Sequence, residues 1–309
     1  LNCHVIIRNI FWAKQANRKL YDRKKKESID LHVQQGEIYG LLGTNSAGKT
    51  ALLRLLTGQL LPSSGEIAMF GQALKGHTPA ILKRIGILIA QPAFYDQLSV
   101  NDNLELHMRY MGYYQRKASS EILQALKLET QQQSLVRDLD LASKQRLAIA
   151  RAIITRPELL LLDEPNKGLD PLATRDIHQL LLQLTQEYGT TILFTSHSLS
   201  EIELLADTIG ILKQGRLLQE LPIKQIQQTA SSYIEISTEQ ASRACLILEQ
   251  QLQITSFRLH HDQQIRIYQQ QQQAAQILKT LVMHDVPIDA FRQHRQTLED
   301  HVFDLLNKN

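Results

Sequence analysis

Residues 37–57 read Glu-Ile-Tyr-Gly-Leu-Leu-Gly-Thr-Asn-Ser-Ala-Gly-Lys-Thr-Ala-Leu-Leu-Arg-Leu-Leu-Thr. The apolar opening, 37–43, has the length and composition of a buried strand, and the pattern from 49 to 58 that of a helix. Between them Gly43, Thr44, Asn45, Ser46, Ala47, Gly48, Lys49 and Thr50 satisfy G-x-x-x-x-G-K-S/T. The chemistry needs that placement. Glycines let backbone N–H groups close around phosphate oxygens, and the helix N-terminus adds partial positive charge. Lys49 can reach the terminal phosphates, and the Thr50 hydroxyl can ligate Mg²⁺. A glycine-rich turn that happens to precede Lys-Thr would match the same pattern. The strand before it and the helix after it argue against that reading.

A second acidic site lies downstream, where Leu159 to Leu162 run into Asp163, Glu164 and Pro165. A hydrophobic strand ending in an acidic pair suits two tasks. Asp163 would hold Mg²⁺ through water, and Glu164 would polarise an attacking water. Acidic turns end many strands, so this pair takes its meaning from the upstream loop. In an open α/β sheet both strand ends fall along the edge where ligands bind. Runs at 86–91 and 190–196 read as further strands, and 101–110, 119–127, 143–154 and 171–187 as helices. The near-continuous apolar character of 158–163 fits a strand covered on both faces. The alternation predicts an α/β fold.

The chain has 309 residues, 43% of them hydrophobic, which suits one large domain and a smaller one. Composition changes after about residue 222: glutamine becomes frequent, including Gln269 to Gln273. A strand-like YIEIS (233–237), a helical stretch, ITSFRL, QIRIY and a further helix predict a small α+β appendage, joined by a linker near Leu221 to Gln228. The glutamine run leads into AAQILKTLV and reads as a solvated helix start, with low-complexity disorder as the alternative. The formal net charge of +3 is too weak to imply nucleic acid, and the basic run Arg23 to Lys26 reads as a solvated turn. Cys3 and Cys245 form no framework and no metal signature, which fits a reducing cytoplasm. The adjacent His260 and His261 read as surface residues. No apolar stretch approaches the roughly 20 residues that span a bilayer, and LNCHVIIRNIFW lacks a signal-peptide pattern. Any membrane work would need another chain to carry the pore.

LHVQQGEIYGLLGTNSAGKT followed by LLLLDEPNKGLDP resembles the ATP-binding subunits of ABC transporters over about residues 4–220. The resemblance implies a P-loop ABC ATPase core: a mainly parallel sheet with flanking helices, a β-subdomain and a helical subdomain, over residues 1–222. Residues 223–309 would form the α+β accessory domain. It implies ATP and Mg²⁺ as ligands and hydrolysis of ATP coupled to transport. Gln91 is similar to the Q-loop glutamine, which implies Mg²⁺ contact and communication with the membrane subunit. Residues 166–170 resemble the D-loop, which crosses the dimer interface. His197, after TTILFTS, matches the switch histidine that contacts the γ-phosphate. GEIYGLLG, LSVNDNL and TLEDHVFDLL look like the subfamily that exports bacitracin or lantibiotics and protects the cell from them.

Two departures stand out. Ser46 replaces a usual glycine of the phosphate loop. The family's signature, L-S-G-G-Q or S-L-G-M before K-Q-R, is here Leu139, Asp140, Leu141, Ala142, Ser143, Lys144, Gln145, Arg146. Asp140 takes the serine position and Ala142 that of the second glycine. In the family these approach the γ-phosphate held by the opposite subunit, so an aspartate sets charge against like charge. For the adenine, Tyr21 lies nearest the expected aromatic position and Trp12 second, with core packing the alternative for Trp12.

The leading expectation is an exporter ATPase, peripheral on the inner face of the cell membrane. It would pair as a homodimer or heterodimer, bind a membrane-spanning permease through a groove formed by residues 92–115, and bind no nucleic acid. The alternative is a nucleotide-binding regulatory subunit with weak turnover, possibly within a heterodimer. A third reading is a soluble ABC ATPase of translation or DNA repair: translation-type members usually carry two ATPase domains where this sequence has one, and repair-type members insert long coiled coils, for which no sustained heptads appear here.

Overall fold

The computed structural model describes residues 3–11, 29–74, 79–90, 93–225, 232–260, 263–268 and 274–295, with 298, 299, 302 and 305. The chain divides into two units, Leu1–Ile223 and Lys224–Asn309.

The first unit opens with β1 (Cys3–Phe11), β2 (Ile29–Gln34), β3 (Ile38–Leu42), α1 (Lys49–Leu56), β4 (Ser64–Met69) and β5 (Gln72–Ala73). It continues through α2 (Pro79–Leu82), β6 (Ile85–Leu88), α3 (Val100–Met111), α4 (Ala118–Ala125), α5 (Leu141–Ile153) and β7 (Leu159–Asp163). It closes with α6 (Pro171–Tyr188), β8 (Thr191–Ser196), α7 (Leu199–Leu205), β9 (Thr208–Lys213) and β10 (Arg216–Pro222). An antiparallel sheet, order β2-β1-β4-β5, stands beside a six-stranded sheet, order β10-β9-β3-β8-β7-β6. In the latter only β10 runs antiparallel.

The central strands are apolar because both their faces are covered. All of β3 and β8 and the four leucines of β7 are buried. Registration sets the functional edge: Leu42 pairs with Ser196, and Asp163 with Thr195. Thus β3, β7 and β8 end on one line, and the turns that follow them carry the phosphate loop, Glu164 and His197. The expected elements are found within a few residues of their expected bounds, and the differences are instructive. The helix expected from 143 begins at Leu141, because the Asp140 carboxylate caps it by accepting the Ser143 backbone N–H at 2.7 Å. The stretch expected as a linker, 221–228, opens inside β10, whose last residues Leu221 and Pro222 pair with β9.

The second unit contains β11 (Ser232–Ser237), α8 (Ala241–Leu252), β12 (Phe257–His260), β13 (Gln264–Ile267), α9 (Ala274–Met283) and β14 (Ala290–Arg295). Its antiparallel sheet has the order β12-β13-β11-β14, so the unit is a β-α-β-β-α-β sandwich. Ile236, Ile265, Leu248, Ile277 and Leu281 form its core. The expectation missed β14, whose polar sequence AFRQHR carries little strand signal. The glutamine run Gln269 to Gln273, His261 and the basic run Arg23 to Lys26 lie outside the described residues.

Candidate nucleotide site

The phosphate loop hangs from the end of β3, and Gly43 N donates to Ser196 O on β8 at 3.2 Å. A Cβ on Gly43 would lie 2.7 Å from the Leu212 carbonyl and 2.8 Å from the Ala47 Cβ, so only glycine fits there. Gly48 turns the chain into α1 at φ 104°, a conformation closed to side-chain-bearing residues. Ser46 is not among the residues with positive φ, so the serine occupies the usual glycine position without backbone strain.

Lys49, the first residue of α1, is buried at 4% exposure. Its Nζ donates to Gly43 O at 2.6 Å and Thr44 O at 3.3 Å, and lies 3.3 Å from Glu164 Oε1. Thr50 Oγ1 donates to Asp163 Oδ2 at 2.6 Å. The other Asp163 oxygen accepts Thr195 Oγ1 at 2.7 Å, and the same threonine accepts the Glu164 N–H at 3.1 Å. Glu164 takes a left-handed backbone, φ 46°, a strained conformation for a non-glycine residue. Its Oε1 stands 3.6 Å from His197 Nδ1. Lys49, Thr50, Asp163, Glu164 and His197 therefore converge on one cavity of about 950 Å³, which Asn45 also lines. Leu141, Lys144 and Gln145 of α5 and Lys167 close its other side.

The donor set fits a nucleotide with its cation. A buried ammonium, glycine-framed amides and a helix N-terminus suit phosphate. One hydroxyl against one carboxylate suits Mg²⁺, which takes few protein oxygens and keeps water and phosphate as its other ligands. Among the described residues, no group of three or more His, Cys, Asp or Glu gathers as a dedicated metal cage.

Gln91, Tyr21 and Trp12 lie outside the described residues. Asp140 and Ala142 do not line the cavity; Asp140 is exposed at the head of α5. The backbone N–H of Ser143, then its hydroxyl, hold the Asp140 carboxyl below its ordinary pKa. Phe94 lies under the Arg151 guanidinium at 4.7 Å, while Tyr95, Tyr110 and Tyr114 are exposed.

Sequence reasoning missed several contributors. Thr195 positions both acidic residues from a fully buried strand end. Gln145 Nε2 donates to Pro165 O at 2.8 Å, which ties α5 to the loop after β7. Glu201 accepts from Ser196 and Asn166, and burial raises its pKa. The one available signal is position: Thr195 and Ser196 are polar residues that follow the apolar run Ile192 to Phe194 at the end of β8.

Fold and site together define a P-loop nucleotide-binding domain. The ABC transporter family matches residues 27–167. The chain is 43% identical to the ABC transporter ATP-binding protein YcbN of Bacillus subtilis (strain 168), over 94% of this chain and 95% of that one. It is 36% identical to the bacitracin transport ATP-binding protein BcrA of Bacillus licheniformis, over 93% and 94%. A dimeric ATP-binding cassette solved in a post-hydrolysis state with ADP and Pi shares the fold, with a TM-score of 0.64 at 24% identity over 71% of this chain and 98% of that one. The chain belongs to the ATP-binding subunits of ABC transporters, a family of ATPases. Such subunits bind ATP, dimerise and work with membrane permease components. No helix among the described residues is long and apolar enough to cross a membrane.

Proposed function

We propose that this chain hydrolyses ATP to power an exporter of bacitracin- or lantibiotic-type peptide antibiotics, and so protects the cell that makes it. The convergence of Lys49, Glu164 and His197 on the Thr50–Asp163 pair carries the hydrolytic part of this reading. Lys49 binds the terminal phosphates. Thr50 and Asp163 would hold Mg²⁺, which when bound would supply charge neutralisation at the phosphate oxygens. Glu164 orients the attacking water and draws off its proton, and His197 contacts the γ-phosphate. The likeness to BcrA supports the cargo class.

The catalytic unit is residues 1–222, peripheral on the inner membrane face through a permease that docks near Gln91 and the exposed tyrosines. Residues 223–309 are an accessory domain. Tyr21 is the candidate adenine-stacking residue. Two chains, like or unlike, would sandwich ATP between one phosphate loop and the other's Asp140–Ala142 segment at the head of α5.

Steady-state ATPase assays of the full chain, alone and with its permease, beside Glu164→Gln, test the hydrolytic reading. Equal rates for wild type and variant would establish a non-hydrolysing subunit. Bacitracin and lantibiotic susceptibility of cells with and without the pair tests the cargo. A second reading, a regulatory subunit with weak turnover, is favoured by one observation: a carboxylate stands at the N-terminus of α5. A heterodimer reconciles the two, because this phosphate loop would then face an unaltered signature from another chain.

A further inference from the structure

Behind Glu164 and His197 lies a polar clasp that phosphate binding does not use. Glu201, on α7, receives Ser196 Oγ on Oε2 at 2.6 Å and Asn166 Nδ2 on Oε1 at 2.5 Å. Ser196 immediately precedes His197, and Asn166 lies two residues after Glu164. One carboxylate thus grips both loops that carry the pair. The second N–H of Asn166 faces His178 Nε2 on α6 at 2.6 Å. The buried Asn166 Oδ1 has no hydrogen-bond partner, so the amide's orientation is set by its two acceptors.

Helix capping does not account for this carboxylate. Ser198-x-x-Glu201 has the form of a capping box, in which the glutamate would return to the Ser198 backbone N–H. Here Ser196 Oγ takes that N–H at 2.9 Å, and Glu201 reaches past it to Asn166. The glutamate side chain is only 15% exposed, and Ser196 is fully buried.

We infer that Glu201 is a positioning residue which, through Ser196 and Asn166, sets the spacing between Glu164 and His197. This rests on the proposed role of those two residues in hydrolysis. It calls for kinetics on the full-length chain carrying Glu201→Ala, Glu201→Gln, His197→Ala and the Glu201→Ala/His197→Ala pair. Glu201→Ala should lower kcat by about tenfold or more while KM for ATP stays within about twofold. Glu201→Gln should stay within about threefold of wild type, since its carbonyl and amide can still meet Asn166 and Ser196. The double variant should lose clearly less than the product of the two single losses, as expected of residues that act partly through one another.

A wild-type kcat in Glu201→Ala, a loss that multiplies with His197→Ala, or a glutamine variant as slow as the alanine one would each overturn the assignment. A crystal structure of Glu201→Ala reads the same point without turnover. The His197–Glu164 separation, 3.6 Å here, should open, and an unchanged separation would sink the idea. If wild type turns over no faster than Glu164→Gln, the hydrolytic reading falls while this structural measurement still decides the clasp. Asn166→Ala cuts the clasp from its other side, judged by the same criteria, if Glu201→Ala does not fold.

Discussion

Exchanging Asp140 for Ser, together with Ala142→Gly, removes one full negative charge from the head of α5 and leaves an oxygen in place to cap it. The carboxylate accepts the Ser143 N–H at 2.7 Å, and that bond holds its pKa below the ordinary carboxylate value, so it is charged at neutral pH. A free helix N-terminus presents roughly +0.5 charge, and the aspartate turns this to about −0.5. In the proposed dimer this terminus faces the γ-phosphate on the opposing subunit. At roughly 6 Å and an effective dielectric near 20, one unit of charge against another costs about 3 kcal/mol. If Mg²⁺ and Lys49 offset half of it, the remainder, about 1.4 kcal/mol, is still tenfold in rate. Steady-state ATPase on the full chain should therefore rise about tenfold in the double variant. Its Tm should fall by only a few degrees, because serine caps about as well as aspartate and Ala142→Gly in the first turn of α5 costs about 1 kcal/mol at most. Asp140→Ala separates the terms: it relieves the charge but loses the cap, about 1 kcal/mol of stability. An unaccelerated, normally folded double variant would refute the electrostatic argument.

Other sites give further tests. Gly86 lies in β6, where an added Cβ would meet the Ala152 carbonyl at 2.0 Å and Pro157 Cγ at 2.9 Å. Gly86→Ala must push α5 off the sheet, so calorimetry should show a loss of about 1–3 kcal/mol and a Tm lower by several degrees. Burial, then the nearby Arg151, lowers the His107 pKa from 6.5 to about 4. Between those values the unfolded chain binds the extra proton, so stability is full above pH 6.5 and falls as the pH drops toward 4. The full effect is about 3 kcal/mol, roughly halved by solvent that reaches the ring. Urea unfolding at pH 7 and pH 5 should show it, and His107→Gln should flatten it. Chelating Mg²⁺ should weaken fluorescent-ATP binding about tenfold or more. In Asp163→Asn, which removes the carboxylate that accepts Thr50, chelation should change little further.

The parts of this protein that could be read in advance are those whose physics is local. A glycine forced by close approach at Gly43, a left-handed turn at Gly48 and an ammonium one residue further on leave a contiguous pattern, because phosphate must be surrounded by one stretch of backbone. The leucines of β7 and the fully buried β8 are legible for a related reason: a strand covered on both faces tolerates no polar residue until it reaches its end. The head of α5 was misplaced by two residues because capping is a property of one side chain's geometry. The charge of Asp140 is visible in the sequence, and its hydrogen bond to the Ser143 N–H is not. β14 escaped for the opposite reason. Its place at the edge of a four-stranded sheet comes from its partner β11, and its own residues hardly show it.

The Glu201 clasp marks where such reading stops. Its three residues sit in three separate contexts, and each has an ordinary local explanation. Asn166 lies in a turn after a strand, Ser196 ends a strand, and Glu201 stands three residues after a serine that caps a helix. Ser196 and Glu201 are close in the chain, but nothing in its order joins Asn166 to them. They meet because β7 and β8 are paired in parallel with Asp163 opposite Thr195, which brings the two following loops side by side. α7 then returns beneath those loops. An interaction made by strand registration across more than thirty residues has no sequence period and no spacing rule, although it sits directly behind the most legible motif in the chain. The residues proposed to touch phosphate can thus be found from local chemistry, while those proposed to hold them at working distance are found only once the sheet is assembled. The clasp variants test that division. If Glu201 proves dispensable, the local motifs alone suffice to set the site's geometry, and the strained Glu164 backbone must be held chiefly by its bond to Thr195.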